Sequence, residues 1–185
     1  ESVVVSIAAG LSLSVLMKYL NCDIPVIRVM PNTPAMVGQG MAAVCSNNLV
    51  SQAQREDVLA VFRSFGRAEE VAESLFDVVT AVSGSSPAYV YLFIEAMADA
   101  AVAGGMPRGL AYTFCAQAVA GSARMVLETG KHPGELKDMV CSPGGTTIDA
   151  VMELEERGMR SAVQNAVTVC MRKSKSMGKQ QEDAV

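Results

Sequence analysis

The strand signal in this sequence stops at Ser74. Before that point, short β-branched runs alternate with stretches of helical period: "VVVSIA" (3–8), the helix "LSVLMKYL" after Ser12, "PVIRVM" (25–30), "MAAVCS" (41–46), the helix "SQAQREDVLAVFRSFG" after Ser51, and "AEEVAE" (68–73). Strands alternating with helices at this spacing predict βαβ units and a largely parallel sheet. After it, every periodic run is helical. Ser74 and Asp77 have the S-x-x-D spacing of a capping box, Pro87 sits at a helix start, and helices are predicted over 88–103, 108–128, 135–140, 146–157 and 159–177, the last two broken at Gly158. Gly66 reads as the stop of the second helix. The chain is therefore expected to have an α/β part over 1–72 and an all-α part over 73–185.

Composition narrows the classes. Half of the 185 residues are apolar and 18% are charged, which excludes disorder and predicts a packed core. The net charge of −4 and the absence of a basic cluster outside "RKSKSMGK" (172–179) argue against a nucleic-acid partner. Five cysteines without close spacing and a single histidine, His132, argue against a zinc site and suit reduced thiols in a cytoplasmic protein. The most apolar run, 87–105, carries Glu95 and Asp99, so no membrane span is expected. The run 88–103 is apolar almost all round. Its small residues, Ala96, Ala98, Ala100, Ala101 and Ala103, allow close helix contact. So much apolar helix surface in a small domain suggests burial against a second subunit. The sequence opens in mid-strand without Met, and more chain is expected upstream.

The polar turns carry what chemistry there is. "CSPGGTTID" (141–149) opens a helix. A helix start leaves N–H groups without internal partners and bears partial positive charge. Gly144 and Gly145 would let an anion approach the backbone, and Thr146 and Thr147 add hydroxyls. The same residues serve an ordinary cap made by Ser142 or Thr146, and spacing alone leans that way. "SGSSP" (83–87) likewise reads as a turn or as a second polar helix end. "SIAAG" (6–10) and "VMPNTPAMVGQG" (29–40) follow predicted strands, at the strand ends where open α/β sheets bind ligands. Glu73 lies beside a helix N-terminus, as a surface charge or as a carboxylate facing a ligand amine. Glu95 and Asp99 share a helix face, read as a polar stripe rather than an acid–base pair. His132 reads as structural.

Taken together and in order, "VSIAAG", "IRVMPNTPAMVGQG", "AVSGSSPAYVYLFIEAMADAAVAGGMPR", "HPGELKDMVCSPGGTTIDAVMELE" and "GMRSAV" resemble pyrroline-5-carboxylate reductase over nearly the whole chain. Residues 133–153 are the most specific part. The resemblance implies a Rossmann-type remnant followed by a helical dimerisation domain. It implies reduction of 1-pyrroline-5-carboxylate to L-proline by hydride from NADPH or NADH, in a homodimer that assembles further, commonly to a decamer. By position it implies a substrate site of Ser142, Gly144, Gly145, Thr146 and Thr147, with Thr147 bonding the ring nitrogen or carboxylate as the catalytic residue, and Glu73 near the substrate. Ile7, Ala8 and Ala9 would line the nucleotide's strand-end site, with Pro31 and Asn32 on the nicotinamide side. Two departures stand out. Position 139 is Met where some members have a cofactor-touching Asn, and no G-x-G-x-x-G turn occurs in the 185 residues. The isolated chain is accordingly expected to bind dinucleotide poorly and to have little activity. A non-catalytic dimerisation module and a related β-hydroxyacid-type dehydrogenase are the alternatives, the glycine–threonine turn speaking against the latter.

Overall fold

The computed structural model describes residues 2–183. Four strands form one sheet in the order β1 (Val4–Ser6), β2 (Val26–Met30), β3 (Gly40–Ser46) and β4 (Gly66–Glu70). Eight α-helices are present among the described residues: α1 (Leu13–Leu20), α2 (Gln52–Arg63), α3 (Phe76–Val79), α4 (Ser86–Ala103), α5 (Arg108–Thr129), α6 (Pro133–Val140), α7 (Thr146–Glu156) and α8 (Met159–Asp183). Backbone contacts divide the chain into two units, 1–87 with 165–185, and 88–164.

In the first unit the expected strand–helix alternation is present. Ser12 caps α1 by accepting from Val15 N–H at 3.3 Å. Ser51 and Gln54 form a reciprocal capping box at the start of α2, so local chemistry alone starts both helices. Val26, Ile27, Val29, Ala42, Val44, Val58, Leu59 and Ala68 are buried, and the core lies between the sheet and α2. β1 pairs with β2, and β3 with β4, in parallel through helical crossovers. β2 and β3 are antiparallel, against the largely parallel expectation. Only residues 31–39 join them, around a 3-10 turn at Thr33–Val37, and a parallel return needs a dozen residues or more.

Two local expectations are corrected. Gly66 does not stop α2. It opens β4, where its backbone passes so close to Gly40 that a side chain has no room. Ser74 and Asp77 form no capping box. Residues 73–75 are a 3-10 turn, α3 is a single turn, and Asp77 instead accepts a hydrogen bond from the Ser174 hydroxyl at 2.6 Å. Residues Thr80–Gly84 then widen into a π-turn before α4.

The second unit has a very small core. Ala98 of α4 is fully buried against Ala111 and Cys115 of α5, so the small residues of α4 serve a contact within the chain. Large apolar residues lie outside that core: Tyr91, Leu92, Phe114, Leu127, Met152 and Val163 are all exposed. Ile94, Met97, Ala101, Val102 and Met106 pack around those three residues, and the exposed large side chains form an apolar surface of the kind that marks an interaction face. Gly158 ends α7 with φ +74°, and α8 starts beyond it, as the sequence predicts.

Candidate functional site

The predicted site residues fall in both units, and each group is described on its own. In the first unit, the loops leaving β1 and β2 carry the five residues expected near a nucleotide. Ile7, Ala8 and Ala9 follow the end of β1 and are exposed; Ala8 N–H donates to the Ser6 hydroxyl at 3.3 Å. Pro31 and Asn32 follow β2 and are half-buried. Asn32 is fully engaged. Its Oδ1 accepts from Met41 N–H at 2.9 Å, and its Nδ2 donates to the Ser83 carbonyl at 3.3 Å and hydroxyl at 3.4 Å. The amide therefore ties the turn after β2 to β3 and to the π-turn. Beside it the surface is apolar, with Met36 89% exposed and Val37 also exposed.

Glu73 opens the 3-10 turn before α3, beside a helix start as read, and its carboxylate reaches the N-terminus of a second helix, α1. Its Oε1 accepts from the Leu13 N–H at 2.6 Å, in the first turn of α1, and from Arg28 Nη1 at 3.0 Å. The Arg28 side chain, 11% exposed, lies with its guanidinium 4.4 Å from the centre of the buried Phe76 ring. Sequence reasoning missed Arg28; the available signal was a lone charge inside the apolar strand "VIRVM". Cys45 on β3 feels the same cluster. Burial, and then the Glu73 charge, push its thiol up to about 12, with Arg28 opposing. A polar cavity of about 360 Å³ opens beside the cluster, lined by Gly10, Ser14, Arg28, Asp77, Lys175 and Lys179 among others.

In the second unit the turn between α6 and α7 has the form of an unfilled cap. His132 is structural, as read: its Nδ1 accepts from Gly134 N–H at 3.0 Å and caps α6. Gly145 N–H donates to the Ser142 carbonyl at 3.0 Å. Gly144 has φ +66°, a left-handed conformation that favours glycine. Gly145 is the N-cap of α7 and has no side chain to offer, and neither Ser142 nor Thr146 supplies the cap expected of them. The first-turn N–H groups of Thr146 and Thr147 thus start α7 without a side-chain acceptor. Thr147 is half-buried and Thr146, Ser142 and Gly144 are exposed. Met139, near the end of α6, is exposed. Asp99 pairs with Arg108, which fits the polar stripe.

Among the described residues no cluster of His, Cys, Asp and Glu could hold a metal ion, and no helix is long and apolar enough to cross a membrane. Residues 73–177 match the family model described as pyrroline-5-carboxylate reductase dimerisation. The chain belongs to the pyrroline-5-carboxylate reductase family. It is 62% identical over 179 residues to the pyrroline-5-carboxylate reductase of Escherichia coli K12, covering 97% of this chain and 66% of that protein. The reductase of Synechocystis is 48% identical over 176 residues, covering 95% and 66%. The chain thus spans about two-thirds of the length of these family members. A crystal structure of the Plasmodium falciparum enzyme with NADP bound superposes with a TM-score of 0.90 at 38% identity, covering 96% of this chain and 71% of that one. A Streptococcus pyogenes structure gives 0.89 at 41% identity, covering 95% and 68%. The family fold, a Rossmann-type part followed by a helical dimerisation part, is the two-part architecture described above.

Proposed function

We propose that the chain carries out the reduction of 1-pyrroline-5-carboxylate to L-proline with NADPH or NADH, the last step of proline biosynthesis, in the cytoplasm. The observation that carries this reading is the uncapped start of α7. Gly144 is exposed, and the first-turn N–H groups of Thr146 and Thr147 have no side-chain acceptor at the positive end of a helix, where a small carboxylate is favoured. Thr147, half-buried one residue into that helix, is placed to bond the ring nitrogen or a carboxylate oxygen, with Ser142 and Thr146 beside it. A cyclic imine held by its carboxylate has few ways to turn, so such a cradle fixes which face of the C=N bond meets the hydride.

The nicotinamide cofactor, when bound, supplies the hydride. The residues present fit its nicotinamide end. Ala8 and Ala9 leave the end of β1 open to a flat ring, and Pro31 with the tied Asn32 gives the end of β2 a fixed edge. The sequence has no G-x-G-x-x-G turn, so no residue of this chain is assigned to the pyrophosphate. The protein's part is then to bind, orient and exclude water. The exposed apolar faces of α4 and α5 support a homodimer, and further assembly to a decamer is proposed with it.

The test is pyrroline-5-carboxylate-dependent oxidation of NADPH and of NADH. It is run with this chain and with the same chain extended by the N-terminal segment of the E. coli relative. Turnover is expected in the extended chain. Thr147→Ala should lower kcat/KM about a hundredfold while the dimer persists, as for a lost donor at a reacting group. No turnover with either nucleotide in either chain would refute the reading.

A further inference from the structure

We propose that Glu73, paired with Arg28, is a positioning residue that holds both strand-end loops of the nucleotide site. The sheet order places β4 at the edge opposite β1. After β4, Val71 N–H still donates to the Val44 carbonyl of β3 at 3.0 Å. Two residues later the chain has brought the Glu73 carboxylate to the first turn of α1, across the width of the sheet. There a single oxygen does two things. It takes the Leu13 N–H at 2.6 Å, the backbone group that immediately follows the loop 7–12. It also takes the Arg28 guanidinium at 3.0 Å, on the strand that leads into Pro31 and Asn32.

The partners leave little freedom. Ser12 accepts from Val15, so Ser12 and Glu73 between them satisfy two of the N–H groups that the first turn of α1 leaves open. Arg28 is 11% exposed and finds its carboxylate in Glu73 and an aromatic face in Phe76. A guanidinium so covered is costly without its anion, so the pair resists separation. The Glu73 side chain is itself 34% exposed. Its bonded oxygen already has two donors, which suits a fixed anchor better than a direct ligand contact. Glu73 acts through Leu13 and Arg28: it sets where the end of the β1 loop and the end of β2 lie relative to each other.

Two measurements decide this. Hydrogen exchange on the 185-residue chain needs no activity. Glu73→Ala should speed exchange in the segment 7–17 about tenfold, the size of a lost charge-assisted hydrogen bond. Glu73→Gln, which keeps an acceptor for Leu13, should speed it less than about threefold on the same scale. Unchanged exchange in Glu73→Ala would overturn the proposal. The kinetic arm rests on the reductase reading and uses the extended chain. There Glu73→Ala should raise KM for the nucleotide about tenfold and leave KM for the imine within about twofold. Arg28→Lys, which keeps the charge but loses the stacked fork, should move the nucleotide KM in the same direction and by less. A change in imine KM or kcat with nucleotide KM unmoved would make Glu73 a substrate contact and sink the proposal. A lower melting temperature with both KM values unmoved would make it purely structural and sink it equally. If the unsubstituted extended chain shows no turnover, the reductase reading fails while the exchange result still decides the anchor. If Glu73→Ala does not fold, Glu73→Gln and Arg28→Lys carry the same comparison.

Discussion

Asn32→Ala offers the sharpest test of how the turn after β2 is held. The amide makes one short bond, from Met41 N–H at 2.9 Å, and two long ones, to the Ser83 carbonyl and hydroxyl at 3.3 and 3.4 Å. Each group is half-buried, so water replaces the lost partners only in part. The Met41 bond is worth about 1 kcal/mol net, and leaving its N–H unpaired adds roughly another 0.5. The two Ser83 contacts, at the weak end of hydrogen-bond geometry, together add about 0.5 kcal/mol. The substitution should therefore destabilise the sheet-containing unit by about 2 kcal/mol on this sum. Ser83→Ala removes only the longest contact and should cost less than about 0.5 kcal/mol. Urea unfolding followed by circular dichroism, extrapolated linearly to water, measures both. A cost below about 0.5 kcal/mol for Asn32→Ala would refute the reasoning. It would mean that the amide is not committed to the turn and is free for a ligand.

Other consequences are as direct. Gly66→Ala should lower stability by about 2–3 kcal/mol, since its Cβ would sit 2.5 Å from Gly40 N and 2.6 Å from Gly40 C; a melting temperature equal to the parent's would contradict the close passage of β3 and β4. Exposed Cys22 should react with a thiol reagent at pH 8 in the folded chain, while Cys45 should react only after unfolding. A thiol whose folded value is raised from 9.0 to about 12 adds stability that is complete at neutral pH. That stability is lost as pH climbs from about 9 through about 12, so Cys45→Ala should flatten alkaline unfolding in that window. Leu92, 68% exposed on α4, should matter for assembly rather than for the fold: Leu92→Glu is expected to shift sedimentation from dimer to monomer without loss of helical signal, and an unchanged dimer would remove α4 from the interface. Ala98→Leu should do the reverse. Overpacking the α4–α5 contact should cost about 1–3 kcal/mol, seen in urea unfolding, before any effect on assembly.

What the sequence by itself determined is whatever depends on neighbours a few residues apart. The serines that start α1 and α2 and the break at Gly158 rest on bonds spanning three to four residues, and each is where the spacing puts it, whereas α6 starts two residues before the predicted Glu135, capped by His132. The glycine–threonine turn was legible as a helix start, but the cap that its spacing favoured, from Ser142 or Thr146, is not made, and Gly145 N–H donates to the Ser142 carbonyl instead. Tertiary structure decided the rest. Ser74 and Asp77 had the spacing of a cap, but Asp77 is claimed by Ser174 from the far end of the chain. Gly66 had the place of a helix stop, but its lack of a side chain is used by Gly40 on the neighbouring strand. The charge at Glu73 was legible as lying beside a helix start; which helix, and with which cation, was settled by a chain crossing that brings residue 73 to residues 13 and 28. Local periodicity carries no term for such pairings, because the free energy that selects them comes from burying β2 and β3 together, and only the assembled sheet expresses it.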